Sequence, residues 1–248
     1  MFKKLFAILF IFSTAGFAAE NETWNSVEGL KKLENSQYKN DFYQLANFYQ
    51  PQENPLFCSI ATATMILNAF NYGNIASQKE GEVARPEGGV FEYHLYSQKG
   101  FFNEQTETIK KRAAVELKAP LANNQYDAGL TMDAFSKMLS KGHKLKVEVT
   151  NVEKNDATTI EKFREVLKKY LAENKHFVAV NFDGKAIGHK TRGHISPVVA
   201  YDEKSDSVLV LDAALHKNQW FWVSLPKLVS AMNTKDGDIY RGYLVISR

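Results

Sequence analysis

The segment Gln52–Phe70, QENPLFCSIATATMILNAF, carries the deciding pattern of the chain. Asn54 and Pro55 suit a helix N-cap and first turn, and beyond them Ile60, Ala63, Ile66, Leu67 and Phe70 recur at the 3.6-residue period of a helix. Cys58 then sits in the first turn of a buried helix. Unpaired backbone N–H groups and the helix dipole favour negative charge at that end, so a thiol there ionises more readily to the nucleophilic thiolate. Cys58 is also the only cysteine in 248 residues. No intrachain disulfide can form, and cysteine ligands for a zinc site or an iron–sulfur cluster are lacking. Taken alone, Cys58 reads either as a nucleophile or as an inert buried thiol, since free cysteine is among the most buried residue types. Its partners decide.

Toward the N-terminus, Lys3 and Lys4 precede the apolar run Leu5–Phe12, and Ser13–Ala18 supplies small residues, the order of a secretory signal peptide cleaved after Ala18. The run is shorter than the ~20 residues that span a bilayer. The expected protein is therefore exported, periplasmic or secreted, with no membrane attachment once residues 1–18 are removed; a retained N-terminal anchor is the alternative. Hydrophobic residues make up 44% and charged ones 24%, a mix that folds around a sizeable core. Without disulfides, that core must stabilise the fold. Lys and Arg total 31 against 28 acids, a net charge of +3 that falls to +1 with the leader removed. No basic block is present, so nucleic acid is not an expected partner.

No repeat or Pro/Gly-rich linker divides the rest, although Gly88, Gly89 and Asn123–Gln125 mark loops. One domain with two lobes is expected. Amphipathic patterns predict further helices over 104–117, 131–140 and 159–173, and with the Cys58 helix these make a helical lobe. Runs rich in Val, Ile, Leu and aromatics predict strands over 177–182, 194–201, 207–212 and 240–247, which make an antiparallel sheet. His194 opens one of these strands and Asp212 closes the next. The turn signal Asp202–Asp206 between them is centred near position 204, so hairpin register predicts that His194 and Asp212 are cross-strand neighbours. An imidazole oriented by a carboxylate is the general base, then general acid, that a cysteine nucleophile needs. A surface His–Asp pair is the plainer reading of the spacing alone.

At these residues the chain resembles the phytochelatin synthase family. Gln52–Phe70, Gly193–Tyr201 (GHISPVVAY), Val210–Ala213 (VLDA) and Ala231–Arg248 (AMNTKDGDIYRGYLVISR) carry the likeness, and Leu130–Leu139 (LTMDAFSKML) extends it. The resemblance implies an α+β, papain-like fold, with a helical lobe that carries the nucleophile packed on an antiparallel β-sheet lobe, and a catalytic domain over 19–248. By resemblance Cys58 is the nucleophile, His194 the general base and acid, Asp212 its orienting carboxylate, and Gln52 an oxyanion-hole donor acting with the Cys58 backbone N–H. The implied substrate is glutathione. Arg241 and Asp236 would take the α-carboxylate and α-ammonium of its γ-glutamyl group, with Asp238 the alternative to Asp236 because the interval to Arg241 is short. An ordinary polar turn before the last strand is the plainer reading of these charges. Two departures stand out. Ser59 occupies a position where the family usually has Gly, and the Cys-rich, metal-sensing region of eukaryotic members has no counterpart in this sequence.

The expected reaction attacks the Cys–Gly amide of glutathione and holds γ-Glu-Cys as a thioester on Cys58. Transfer to a second glutathione gives phytochelatin, and transfer to water gives γ-Glu-Cys. No tightly bound cofactor and no dedicated metal site are expected; a divalent ion such as cadmium or zinc would enter as a metal–glutathione thiolate. Expected partners are glutathione and its metal complexes, with a homodimer left open. The alternatives are a general papain-like cysteine peptidase and an exported glutathione or metal–thiolate binding module without catalysis. GxSxG, HExxH, GxGxxG and P-loop motifs are absent. The remaining histidines, 94, 143, 176, 189 and 216, lack ligand spacing. Lys110–Arg112 reads as a solvated helix face and Trp220–Trp222 as packing for the sheet.

Overall fold

The computed structural model describes residues 21–71, 79–116 and 129–248; the expected leader 1–18 and the loop 123–125 lie outside them. The described chain begins with β1 (Glu22–Thr23), α1 (Val27–Asn35), α2 (Asn40–Ala46) and α3 (Cys58–Asn71). A hairpin of β2 (Lys79–Ala84) and β3 (Val90–His94) turns through Gly88 and Gly89 at positive φ. Next come α4 (Glu104–Ile109), α5 (Arg112–Val115), α6 (Met132–Lys137), β4 (Lys146–Asn151) and α7 (Ala157–Tyr170). The C-terminal part comprises β5 (His176–Asp183), β6 (Gly193–Asp202), β7 (Ser207–Val210), β8 (Phe221–Ser224), α8 (Leu225–Met232), β9 (Lys235–Asp236), β10 (Ile239–Tyr240) and β11 (Gly242–Ser247).

Seven strands form one sheet in the order β1-β8-β7-β6-β5-β11-β4, and every neighbouring pair is antiparallel. Side chains alternate between its faces, as strand geometry requires. Phe177, Ala179, Ile195, Leu244 and Ile246 pack with Ile60, Ala63, Ile66 and Leu67 of α3 and with Phe135 and Leu139. Val178, Val180, Phe182, Val198 and Val245 face the other way, onto Phe163 and Leu167 of α7 and Leu228, Val229 and Met232 of α8. Because both faces are covered, β5 reads as a continuous apolar run rather than an alternating one. The helix expected over 159–173 therefore does not join the lobe of α3. Its Phe163–Leu167 stripe lies on the opposite face, and Asp156 caps its start by accepting from Thr159 N at 2.8 Å.

Other boundaries also moved for identifiable reasons. Asn54 organises a turn, accepting from Phe57 N at 3.0 Å, so α3 starts at Cys58 and its ladder begins with Ala61 N to Phe57 O at 2.8 Å. The expected 104–117 helix breaks at Lys110, which has extended φ −153° and ψ 126°. Lys110–Arg112 thus spans a break rather than a helix face, and Lys110 Nζ donates to Gly129 O at 2.6 Å. The 131–140 helix passes into a π-helix over Met138–Gly142. Of the described strands only β5, β6, β7 and β11 match expected runs; the sheet strands β1, β4 and β8 and the small pairs β2-β3 and β9-β10 were not expected. β4 is a mostly exposed edge strand with little apolar signal, and β8 contains Phe221 and Trp222, both buried in the sheet. No described helix is long and apolar enough to cross a membrane.

Asp41 in α2 is fully buried, neither carboxylate oxygen has a hydrogen-bond partner among the described residues, and burial raises its pKa well above the ordinary carboxyl value. Unfolding therefore releases a proton, and stability falls as pH rises from the usual carboxyl range through the raised value. Asp41→Asn is expected to remove that loss and to stabilise the protein at neutral pH by about 1 kcal/mol or more, measured by urea unfolding between pH 4 and 8.

Candidate active site

Cys58 is the first residue of α3, whose middle is buried against β6 and held there by a bond from Thr62 Oγ1 to Ile195 O at 3.1 Å. That anchoring sets the thiol beside the start of β6, where His194 projects. His194 Nε2 lies 2.6 Å from Asp212 Oδ1, and both side chains are buried. The pairing differs from the expected one. His194 stands opposite Phe182 of β5, while β7 stops at Val210, two residues short of Asp212. A bulge at Val199 shifts the β6–β7 register, and Leu211 N reaches Pro197 O at 3.0 Å, which carries Asp212 alongside Ser196. The two side chains then meet on the diagonal rather than directly across.

The carboxylate is held on several sides. Asp212 Oδ1 also accepts from Ala214 N at 2.7 Å, and Oδ2 accepts from Asn218 Nδ2 at 3.1 Å. Tyr49 Oη donates to the Asp212 carbonyl at 2.9 Å. Burial pushes the Asp212 pKa up, but the His194 charge and these bonds overcome it and leave the carboxyl below its usual range. Burial likewise opposes charge on His194, yet Asp212 and the Cys58 thiolate raise its pKa far above that of ordinary imidazole. At Cys58, burial raises the thiol, whereas the His194 charge and hydrogen bond, together with the backbone N–H groups of Ile195 and Ser59, bring it below the ordinary thiol value. The arrangement favours thiolate and imidazolium together. Since Nε2 faces Asp212 and Ser196, Nδ1 is the nitrogen left for Cys58.

Gln52 lies in the segment that leads into α3. Its backbone N–H donates to Ala213 O at 2.8 Å and its Nε2 to Asn54 O at 2.8 Å, which leaves one amide hydrogen for another acceptor. Gln98, buried, clamps the same segment from outside, with Nε2 on Pro51 O at 2.9 Å and Oε1 accepting from Glu53 N at 2.9 Å. The segment before Cys58 and the loop after Asp212 are thus tied together. Ser59 is buried and its Oγ has no partner among the described residues.

A cleft of about 560 Å³ opens over Cys58 and His194 and is also lined by Asn181, Asp236 and Arg241. Arg241 is 8% exposed, and its Nη1 donates to Thr234 Oγ1 at 3.2 Å and to Lys235 O. Nη2 lies 3.6 Å from Asp236 Oδ1, while Nε is buried without a partner among the described residues. Gly193 permits this placement, since a Cβ there would stand 2.8 Å from Arg241 Nη2. Asp238 occupies the exposed turn between β9 and β10 and does not line the cleft, so Asp236 is the acid beside Arg241. His189 Nε2 accepts from Asn21 Nδ2 at 2.9 Å. Among the described residues, no group of three or more His, Cys, Asp or Glu side chains is placed to hold a metal ion. Tyr49, Gln98, Ser196 and Asn218 were not foreseen, and polar residues of such common types carry no spacing signal.

Comparison with known proteins bears on the chain as a whole. The phytochelatin synthase family profile matches residues 14–243. The chain is 25% identical over 210 residues to glutathione gamma-glutamylcysteinyltransferase 3 of Lotus japonicus, covering 84% of this chain and 37% of that protein. It is 26% identical over 209 residues to glutathione gamma-glutamylcysteinyltransferase 1 of Triticum aestivum, covering 84% of this chain and 36% of that protein. With the glutathione gamma-glutamylcysteinyltransferase of Schizosaccharomyces pombe it shares 24% identity over 220 residues, covering 88% and 45%. The chain thus spans less than half the length of these relatives.

If His194 sustains the thiolate, the rate of Cys58 alkylation by iodoacetamide rises with an inflection below the ordinary thiol range. His194→Ala removes the cation and leaves burial unopposed, so the inflection is expected to move upward in pH. An unchanged inflection would remove His194 as the source of the low value.

Proposed function

Because the chain belongs to the phytochelatin synthase family, we propose that it cleaves the Cys–Gly amide of glutathione by acyl transfer through Cys58. The observation that carries this reading is the Cys58–His194–Asp212 alignment at the floor of a cleft whose wall holds Arg241 beside Asp236. Arg241 binds the α-carboxylate of the γ-glutamyl group, Asp236 its α-ammonium, and the tripeptide is laid with its scissile carbonyl over the thiolate.

In the proposed reaction the Cys58 thiolate adds to the carbonyl carbon. The oxyanion is met by the Cys58 backbone N–H and the uncommitted hydrogen of Gln52 Nε2. His194, as imidazolium, gives its proton to the departing glycine amine, and the C–N bond breaks to leave γ-Glu-Cys as a thioester on Cys58. The neutral imidazole then takes a proton from the acceptor. A second glutathione, alone or as a cadmium or zinc thiolate, yields phytochelatin through its amine, and water yields γ-Glu-Cys. Metal enters as part of the substrate. Export by the N-terminal segment forms part of the same proposal and is tested by comparing the mass of the mature protein with that expected after removal of residues 1–18.

Cys58→Ala and Cys58→Ser are expected to abolish glycine release from glutathione, and Asp212→Asn to reduce it by roughly 10²–10⁴-fold while leaving residual turnover. Equal turnover of α-linked Glu-Cys-Gly would instead indicate a general peptidase, and glutathione binding without glycine release a binding module. Arg241→Ala should raise KM for glutathione at least about tenfold, because the substrate carboxylate loses its charged partner in a buried position.

Acceptor choice gives a separate expectation. Water at ~55 M competes with millimolar glutathione unless the acceptor is held at high effective molarity. In metal-free buffer γ-Glu-Cys should exceed phytochelatin, with oligomer rising as cadmium or zinc is added, as read by chromatography. Dominant phytochelatin without metal would contradict this balance.

A further inference from the structure

Besides the Cys58–His194 pair, the cleft is lined by four Lys and Arg residues, Lys190, Arg192, Lys217 and Arg241, and by one carboxylate residue, Asp236. Arg241 and Asp236 face each other, so their charges offset locally. Lys190, Arg192 and Lys217 have no side-chain ion pair or hydrogen bond among the described residues. For a chain whose net charge is only +3, three uncompensated cations in one cleft are a marked local concentration. The backbone beneath them is fixed by Gly184 N to Arg192 O at 3.0 Å, His189 N to Gly184 O at 2.8 Å and Lys217 N to Ala214 O at 2.7 Å. Lys190 and Arg192 lie just before His194, and Lys217 just after Asp212. All three therefore flank the imidazole that hands its proton to the leaving amine.

We propose that Lys190, Arg192 and Lys217 form a carboxylate subsite that seats the free C-terminal glycine carboxylate of the peptide cleaved at Cys58. The inference rests on the glutathione reading of the same cleft and adds a determinant of specificity to it. Glutathione carries two carboxylates at opposite ends, and Arg241 accounts for one. The other belongs to the single residue beyond the scissile bond, so it lies within about one residue length, ~3.5 Å, of the leaving nitrogen. A carboxylate so close to His194 ends among the residues that flank His194 and Asp212. Substrates that continue past glycine, or whose terminal carboxylate is neutralised, would leave the three cations unmatched and be discriminated against. Exposed cations act through a screened field, so the preference should shrink as salt is raised.

The test compares glutathione with its glycine amide. Wild-type protein should release glycine from glutathione with a kcat/KM roughly tenfold or more above that for glycinamide release from the amide. The triple variant Lys190→Gln/Arg192→Gln/Lys217→Gln should lose this preference by losing activity on the acid alone, while the charge-conserving Lys190→Arg/Arg192→Lys/Lys217→Arg keeps it. Equilibrium binding of both peptides to Cys58→Ala, by calorimetry, gives a readout independent of turnover. Equal affinity for acid and amide would overturn the subsite. Discrimination in binding with no glycine release by wild type would uphold the subsite and sink the cleavage reading instead. If the triple variant keeps the acid preference and loses only oligomer formation, the cations serve an incoming second glutathione, and the assignment to the leaving glycine is wrong.

Discussion

The bond between His194 Nε2 and Asp212 Oδ1, 2.6 Å long and buried, is the interaction on which the rest of the site depends. A carboxylate withdrawn from water costs several kcal/mol unless its lone pairs are satisfied. Asp212 meets that condition with an imidazolium, a backbone N–H and the Asn218 amide. Asp41 supplies the contrast within the same molecule, being equally buried, without partners among the described residues, and pushed toward the neutral form. Burial alone therefore does not make an anion. The satisfied Asp212 holds the imidazole charged, and the charged imidazole holds the Cys58 thiol ionised.

The fold exists, from the site's point of view, to bring three separated segments within reach of one another. A buried helix fixes the thiol, a strand paired on both sides fixes the imidazole, and a bulged hairpin returns the carboxylate to it. The bulge shows in the packing, because Val199 and Ala200 both join the core beneath α3 although they are adjacent in sequence. Gln52 N then ties the approach to α3 onto the loop after Asp212, and Gln98 clamps that approach at Pro51 and Glu53. Slipping either strand, β6 or β7, by a residue would reverse which face its side chains take.

Much of this was legible in the sequence because it rests on periodicity. The Ile60–Phe70 spacing gave the helix, the Asp202–Asp206 turn gave the hairpin, and the apolar runs gave the central strands. What escaped had weak local signals. An edge strand such as β4 buries little, so its residues need not be apolar. A bulge adds one residue with no compositional mark; without it the hairpin register would carry Asp212 opposite Pro197, and with it Asp212 stands alongside Ser196, on the diagonal from His194. Lys190, Arg192 and Lys217 look like ordinary surface charges until two loops converge on one cleft. The placement of α7 on the far face of the sheet was likewise not decided by its own amphipathic stripe, which would suit either face.

Membership of the phytochelatin synthase family rests on a match over residues 14–243, and the proposed chemistry rests on a covalent intermediate at one thiol. The most direct measurement is the mass of the Cys58 peptide from protein quenched shortly after mixing with glutathione. The account predicts an increase of about 232 Da, the γ-Glu-Cys acyl group, at Cys58 and nowhere else. Glutathione consumed with no such adduct, or an increase of about 305 Da that marks a mixed disulfide alone, would contradict it.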